Sequence, residues 1–467
     1  MVEASEEVYS SLRGRFKGEL LRPGDGAYDD ARVVWNGMFA RTPGLIARCA
    51  HVADVQDAIQ VAAAAGIITA IRCGGHSLAG FSTCDGGLVI DLSRMRKVTV
   101  DAATLRAKVS GGCLLGSIDT ATQKAGLVFP AGVVSHTGAS GLILGGGTGW
   151  LTRRFGLSCD NVEGFSLVAS DGSVVYANAK ENPDLFWALR GGGGNFGVVT
   201  EFEVKLHPLT SVVLAEGLTP ESDIRRLLEC WRDFMGDAPL DLKWNVDLRL
   251  ASHAKKVPEQ LRGRPVAGSS LIWTGDPEAG RLHLQRALSL CHPESVSNRI
   301  VAFLDLQTMA DSDFPHGRRY YTKSGYFTYL DDSTIDRMVE AVGTIPSSDT
   351  QIELAYLGGA ACRMGADETA FGDRSDPFIM NLLANWMDAS ADSGNISWVR
   401  GLFNKLRPAM KPGVYVNFMS GDEQDRVPEA YHARWERMTT VKSHYDPNNF
   451  FRLNQNVLPR KVAGTRL

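Results

Sequence analysis

The chain has 467 residues, 44% of them hydrophobic, and a formal net charge of −4 with acid and base mixed along its length. That length is enough for two or three domains with real cores, while the lack of a basic block argues against nucleic acid as a partner and the lack of a long apolar run argues against a membrane span. Eight cysteines with no Cys-x-x-Cys pair argue against a metal site or a disulfide framework, so a reducing cytoplasm is the expected setting. The N-terminal residues Met1–Glu7 are acidic and lack the apolar core of a secretory signal.

Leu45–Arg48 reads as a strand, and Asp54–Ala65 places Val55, Ala58, Ile59 and Ala62 at helical spacing before stopping at Gly66. A second apolar run, Ile67–Ile71, leads into Arg72-Cys73-Gly74-Gly75-His76-Ser77, so the expected unit is βαβ with a glycine turn at a strand end. Two glycines allow close approach to a ligand, and their amides can form an anion-binding nest. An imidazole at the exit of that turn reaches a ring beyond the phosphates. The combination is consistent with a flavin held by its pyrophosphate and tethered at His76.

Leu88–Leu92 is a further strand, residues 98–109 alternate as a hairpin, and Phe165–Tyr176 is a hairpin around Asp171-Gly172. Between them, Gly138–Gly149 packs six glycines into twelve residues, a poor composition for a helix or strand interior but suited to backbone lying against a cofactor. The interleaved Leu142, Ile143, Leu144 and Trp150 argue against a solvated loop. A third cluster, Arg190–Gly197, formally satisfies G-x-G-x-x-G at Gly192, Gly194 and Gly197. A helix signal precedes it and a strand follows, the reverse of the nicotinamide-dinucleotide order.

After Pro208 glycine thins, and longer helical patterns (224–235, 333–342) alternate with strands (242–250, 269–273, 351–357). Asp247, Asp305 and Gln307 are expected on strands of this second unit. The tail from Val414 is expected to hold a helix ending near His444, followed by an Asp446-Pro447-Asn448 turn that leads to Asn454 and Asn456.

Together the segments 72–77, 131–149, 155–161, 185–197 and 445–456 resemble the FAD-linked oxidases of the vanillyl-alcohol oxidase (PCMH-type) superfamily, and within it the berberine bridge enzyme-like group. The texture is nearest to 6-hydroxy-D-nicotine oxidase and, more closely, to EncM-type polyketide-pathway flavoenzymes, through Val133–Gly138, Tyr321–Tyr326 and Tyr415–Met419. The resemblance implies an α+β chain: a two-subdomain PCMH-type FAD domain (1–205), a substrate domain with a mostly antiparallel sheet (206–413), and a C-terminal segment returning to the FAD domain (414–467).

It also implies FAD bonded to His76, with cofactor contacts from Arg72, Cys73, Gly74, Gly75, Ser77, Gly80, Gly138, Gly141, Gly145, Gly146, Gly149, Val199, Asn454 and Asn456. Many members add a second bond from a cysteine in an Ala-Gly-Val-Cys context. Here that position is Val134, so a single covalent link is expected, with Cys73 and Cys159 as packed residues. The common Tyr-x-Asn-Tyr base is also altered, since Tyr415-Val416-Asn417-Phe418 lacks the final hydroxyl. Alternation along 351–356 puts Gln351 and Glu353 on one strand face. Glu353 is the replacement base, with Gln351 and Asn417 beside it, and desolvation would raise its pKa.

Trp150, Tyr321, Phe418 and Asp247 are expected in the substrate pocket. His136 is read as a hydrogen-bonded loop histidine. The implied activity is oxidation of a small secondary-metabolite alcohol, carbonyl or amine with O2, either by dehydrogenation or by oxygenation. A flavin-scaffolded cyclase without net redox change is the alternative. A monomer or homodimer is expected.

Overall fold

The computed structural model describes residues 2–255, 257–365 and 367–460; the end of the expected C-terminal segment, 461–467, lies outside them. Helix Val2–Leu12 is followed by a four-stranded sheet ordered Glu19–Leu21, Leu45–Arg48, Leu88–Asp91, Thr69–Arg72, the last three parallel. Helix Val52–Ala64 makes the crossover and buries Val55, Ala58, Ile59 and Ala62, the 3.6-residue stripe read from the sequence. Arg72 and Asp91 end paired strands, and a 2.7 Å ion pair between their buried side chains fixes the strand end from which the glycine turn departs. Arg72 is therefore a structural residue behind the turn.

A five-stranded antiparallel sheet follows, in the order Val98–Asp101, Arg106–Ser110, Val198–Lys205, Val162–Val168, Val174–Asn178. Gly172, at φ +83°, makes the turn of the expected 165–176 hairpin. The glycine-dense segment departs from expectation, because Ala139–Leu144 forms a short helix within it. Ala139, Ile143 and Leu144 bury their side chains in the core of this unit, which offsets the low helix propensity of glycine.

The second unit is a seven-stranded antiparallel sheet ordered Ser295–Ala302, Ser211–Pro220, Pro265–Trp273, Leu242–Leu250, Gln351–Tyr356, Phe378–Trp386, Arg319–Phe327. Helices Ile224–Gly236, Asp332–Val342 and Asp392–Leu406 share one core with Val246, Leu248, Ile352, Leu354, Met380 and Leu382. Period-2 alternation then turns Asp247, Glu353 and Asn381 to the opposite face. Asp305 and Gln307, expected on strands, instead lie on the helix Phe303–Thr308. Gln307 donates from Nε2 to the Gly132 carbonyl at 2.5 Å and so joins this helix to the first unit.

The tail helix Trp435–Tyr445 packs Met438 and Val441 against Leu185 and Trp187 of the first unit. Lys442 has no exposed side-chain surface. Its Nζ pairs with Asp446 at 2.6 Å and donates to the carbonyls of Asn195 and Phe451, both at 2.9 Å. This buried hub holds the following turn, and with it Phe451–Gln455, against the third glycine cluster. Among the described residues no helix is long and apolar enough to cross a membrane.

Candidate functional site

The two units enclose a cavity of about 380 Å³. Three glycine-bearing segments form one wall: Cys73–Ser77, Val133–Leu142 in part, and Gly193, Gly194 and Gly197. The tail supplies Phe451, Leu453, Asn454 and Gln455, and the seven-stranded sheet supplies Glu353, Asn381 and Leu383. Trp35, Phe314 and Phe418 add aromatic surface. Among the described lining residues Glu353 is the only carboxylate, and neither lysine nor arginine appears.

The first two glycine segments abut. A Cβ on Gly138 would strike the Gly74 backbone nitrogen and lie 2.9 Å from Cys73 Sγ, so neither position admits a side chain. Gly141 and Gly194 instead open onto the cavity with nothing within 4 Å of an added Cβ. Asn454 also lines the cavity; its Nδ2 donates to the Gly194 and Phe451 carbonyls, while its Oδ1 is buried without a partner. Backbone amides, an unpartnered amide oxygen and a long glycine floor fit a dinucleotide flavin, whose pyrophosphate would be held by oriented N–H groups rather than by side-chain cations.

His76 stands at the cavity wall beneath Trp35, with ring centroids 4.8 Å apart and nearly parallel. Its Nε2 is 2.7 Å from His136 Nδ1, and its Nδ1 is 3.4 Å from Thr137 Oγ1. His136 is thus the hydrogen-bonded loop residue that was expected. Burial, with His136 and His316 alongside, holds the His76 pKa well below the ordinary imidazole value, so the ring is neutral at physiological pH.

Glu353 faces the cavity from the sheet. Gln351 Nε2 donates to its Oε1 at 2.8 Å and Asn381 Nδ2 to its Oε2 at 2.7 Å; Thr322 Oγ1 in turn holds the Asn381 amide oxygen. Burial pushes the carboxyl up to about 7, the Asn381 bond opposes that rise, and the Asp247 carboxylate adds to it.

Tyr415, the tyrosine kept from the altered motif, accepts bonds at its hydroxyl from Gly147 N and Asn417 Nδ2, both at 2.9 Å; burial raises its pKa to about 12. It is fixed and protonated. Asn417 also donates to the Leu142 carbonyl at 3.1 Å, so this lining residue spends its donors on holding two loops together.

Cys73, Gly74, Gly75, Ser77, Gly138, Gly141, Val199, Asn454 and Phe418 also line the cavity. Others do not. Gly145 and Gly146 are packing glycines whose added Cβ atoms would strike Asn417 and Phe371, and Gly149 lies against the Ala131 carbonyl. Gly80 sits under the Phe39 ring, and Asn456 is outside the lining although its Oδ1 is buried and unpartnered. Trp150 packs with Leu151 and Phe155. Tyr321 is turned away from the cavity, its hydroxyl bonded to Asp422 at 2.7 Å and to Arg400 at 2.9 Å. Asp247 stands beside Glu353 on the neighbouring strand but outside the lining.

Sequence reasoning passed over Gly193, Gly194 and Gly197 once their order excluded a nicotinamide site, although a glycine run at that density was itself a signal. It also missed Asn381, whose signal was a pair of amides, Asn381 and Asn385, inside the otherwise apolar run Phe378–Trp386.

Comparison with known proteins agrees with this geometry. Residues 43–178 match a family described as FAD binding domain, and residues 414–458 match one described as berberine and berberine like. An FAD-linked oxidoreductase of Dictyostelium discoideum is 30% identical over 460 residues, covering 97% of both chains. (R)-6-hydroxynicotine oxidase of Paenarthrobacter nicotinovorans is 28% identical over 95% of this chain and 97% of its own. The solved structure of 6-hydroxy-D-nicotine oxidase from Arthrobacter nicotinovorans superposes with a TM-score of 0.85 at 27% identity, covering 95% of this chain and 98% of that one. A cavity floored by glycine backbone, relatives aligned from end to end and a shared fold agree: the chain belongs to the FAD-linked oxidoreductases of the berberine bridge enzyme-like type.

Proposed function

We propose that this protein is an oxidase that carries FAD bonded to His76 alone, removes a hydride from a small neutral or basic organic substrate with Glu353 as base, and uses O2 as final acceptor. The observation that carries the reading is Glu353 itself, a cavity-facing carboxyl held by two amides and raised to about 7. A base near the working pH takes an O–H or N–H proton with little penalty in either direction. Flavin, when bound, supplies the two-electron acceptor for the hydride.

The chain's own residues do the rest. Gln351 and Asn381 fix the carboxylate, so no reorientation is needed when the proton moves. Phe314 and Phe418 offer aromatic surface to a planar substrate and exclude water, while Trp35, stacked between His76 and Tyr320, holds the His76 ring in place. The neutral His76 ring offers the lone pair that attachment to the flavin 8α carbon requires, and Val134 offers no second bond. Residues 1–205 and 414–467 serve the cofactor, and 206–413 serve the substrate. The relatives named as nicotine and xylooligosaccharide oxidases support an alcohol or amine as the oxidised group, and the resemblance to polyketide-pathway flavoenzymes favours a secondary metabolite.

The test is anaerobic mixing of the purified yellow protein with a panel of aromatic alcohols and amines, followed by air. Bleaching near 450 nm that air reverses, and that Glu353→Gln slows about 10²–10⁴-fold, supports the reading. Substrate conversion without bleaching would replace it with a flavin-scaffolded cyclisation.

A further inference from the structure

The seven-stranded sheet brings a second carboxylate to Glu353. In the antiparallel register Asp247 pairs directly with Glu353 and Arg249 with Gln351. Directly opposed residues project to the same face, with Cβ atoms about 4.5–5.5 Å apart. Asp247 is folded down over Gly268 on its other flank; a Cβ there would lie 2.6 Å from Asp247 Oδ1 and 2.8 Å from Oδ2. The glycine gives the carboxylate room to lie flat between the strands. Its buried Oδ2 forms an ion pair with Arg249 Nη1 at 2.8 Å.

The other neighbours of Glu353 carry no charge to compete. Its own strand offers the Gln351 amide, and strand Phe378–Trp386 offers the Asn381 amide. Across the cavity stand the neutral His76 ring and the protonated Tyr415. Among the described residues Asp247 is therefore the charged group that acts on the Glu353 carboxyl, and Arg249 bears on it through its ion pair with Asp247.

We propose that Asp247 and Arg249 form a charge pair that sets the ionisation of Glu353: Asp247 is a positioning residue that keeps part of the Glu353 population protonated near neutrality, and Arg249 limits how far it does so. This rests on the reading of Glu353 as the base. Asp247 touches neither substrate nor cofactor and acts only through Glu353. The pair is a tuning device with opposed members, so removing one must shift Glu353 in the opposite direction from removing the other. At about 5 Å and an effective dielectric near 20, a neighbouring charge is worth at most roughly two pH units, and the partial exposure of Asp247 reduces that to about one.

The experiment is a pH titration of the flavin-loaded protein followed by infrared difference spectroscopy in the carboxylic-acid C=O region, with Glu353→Gln used to assign the Glu353 band. Asp247→Asn should lower the band's midpoint by about one unit, and Arg249→Gln should raise it by about as much. General damage to the sheet would not move the two variants in opposite directions. If the Glu353 band is present and neither variant moves its midpoint, or both move it the same way, the proposal is overturned while the base assignment stands. If Glu353→Gln removes no titrating band and retains full turnover, the base assignment itself has failed.

Discussion

The packing of Gly74 against Gly138 makes a prediction in which fold and cofactor separate. In Gly138→Ala the new methyl must enter space held by the Gly74 backbone nitrogen and Cys73 Sγ, atoms that cannot swing away as a flexible side chain would. Backbone overpacking of this kind costs about 1–3 kcal/mol, or a fall of several degrees in the unfolding temperature. Gly141→Ala is the matched opposite. It lies within helix Ala139–Leu144 with nothing near its added Cβ, so alanine stabilises the helix by about 0.5–1 kcal/mol. The same methyl projects into the cavity, where it competes with the flavin. Calorimetry of protein made under riboflavin limitation, alongside flavin-to-protein absorbance of the normal product, reads both effects. Gly138→Ala should melt lower, while Gly141→Ala should melt unchanged or higher and carry less flavin. Full flavin occupancy in Gly141→Ala would refute the placement of this helix against the cofactor.

Three further outcomes follow from the same geometry. Because the folded-state pKa of Glu353 lies above its unfolded value, its protonated form stabilises the fold at low pH, and that contribution fades as pH rises from about 4.5 through about 7; thermal melts should find Glu353→Gln more stable relative to wild type at pH 8 than at pH 4.5. Lys442→Met strands the Asp446 carboxylate in a site with no exposure and should cost about 3–5 kcal/mol, read as a lower urea midpoint. Cys73→Ala and Cys159→Ala should leave acid-precipitated protein as yellow as wild type; colour lost from either pellet would contradict a single link at His76.

Where local chemistry decided the structure, the chain was legible. The Val55/Ala58/Ile59/Ala62 stripe, the Asp171-Gly172 turn and the glycine turn before His76 each follow from a few adjacent residues, and each is present. Glu353 was reachable because alternation along 351–356 separates a polar face from an apolar one. What escaped depends on distant partners. Strand Phe378–Trp386 is buried along its whole length, so it shows no period-2 signal. Helix Phe303–Thr308 is only six residues long, and its role is set by Gly132, 175 positions away. Glycines 145, 146 and 149 resemble their cofactor-facing neighbours in sequence, and only the positions of Asn417, Phe371 and Ala131 mark them as packing residues. Tyr321 was drawn to the pocket by its motif, but Asp422 and Arg400 hold it elsewhere.

The account stands most directly on the imidazole at position 76. Tryptic digestion of acid-precipitated, purified protein, with flavin fluorescence used to find the labelled peptide, tests it in one step. The account predicts a single fluorescent peptide that contains His76 and disappears in His76→Ala. Flavin released entirely into the acid supernatant, or found on a peptide lacking His76, would contradict it.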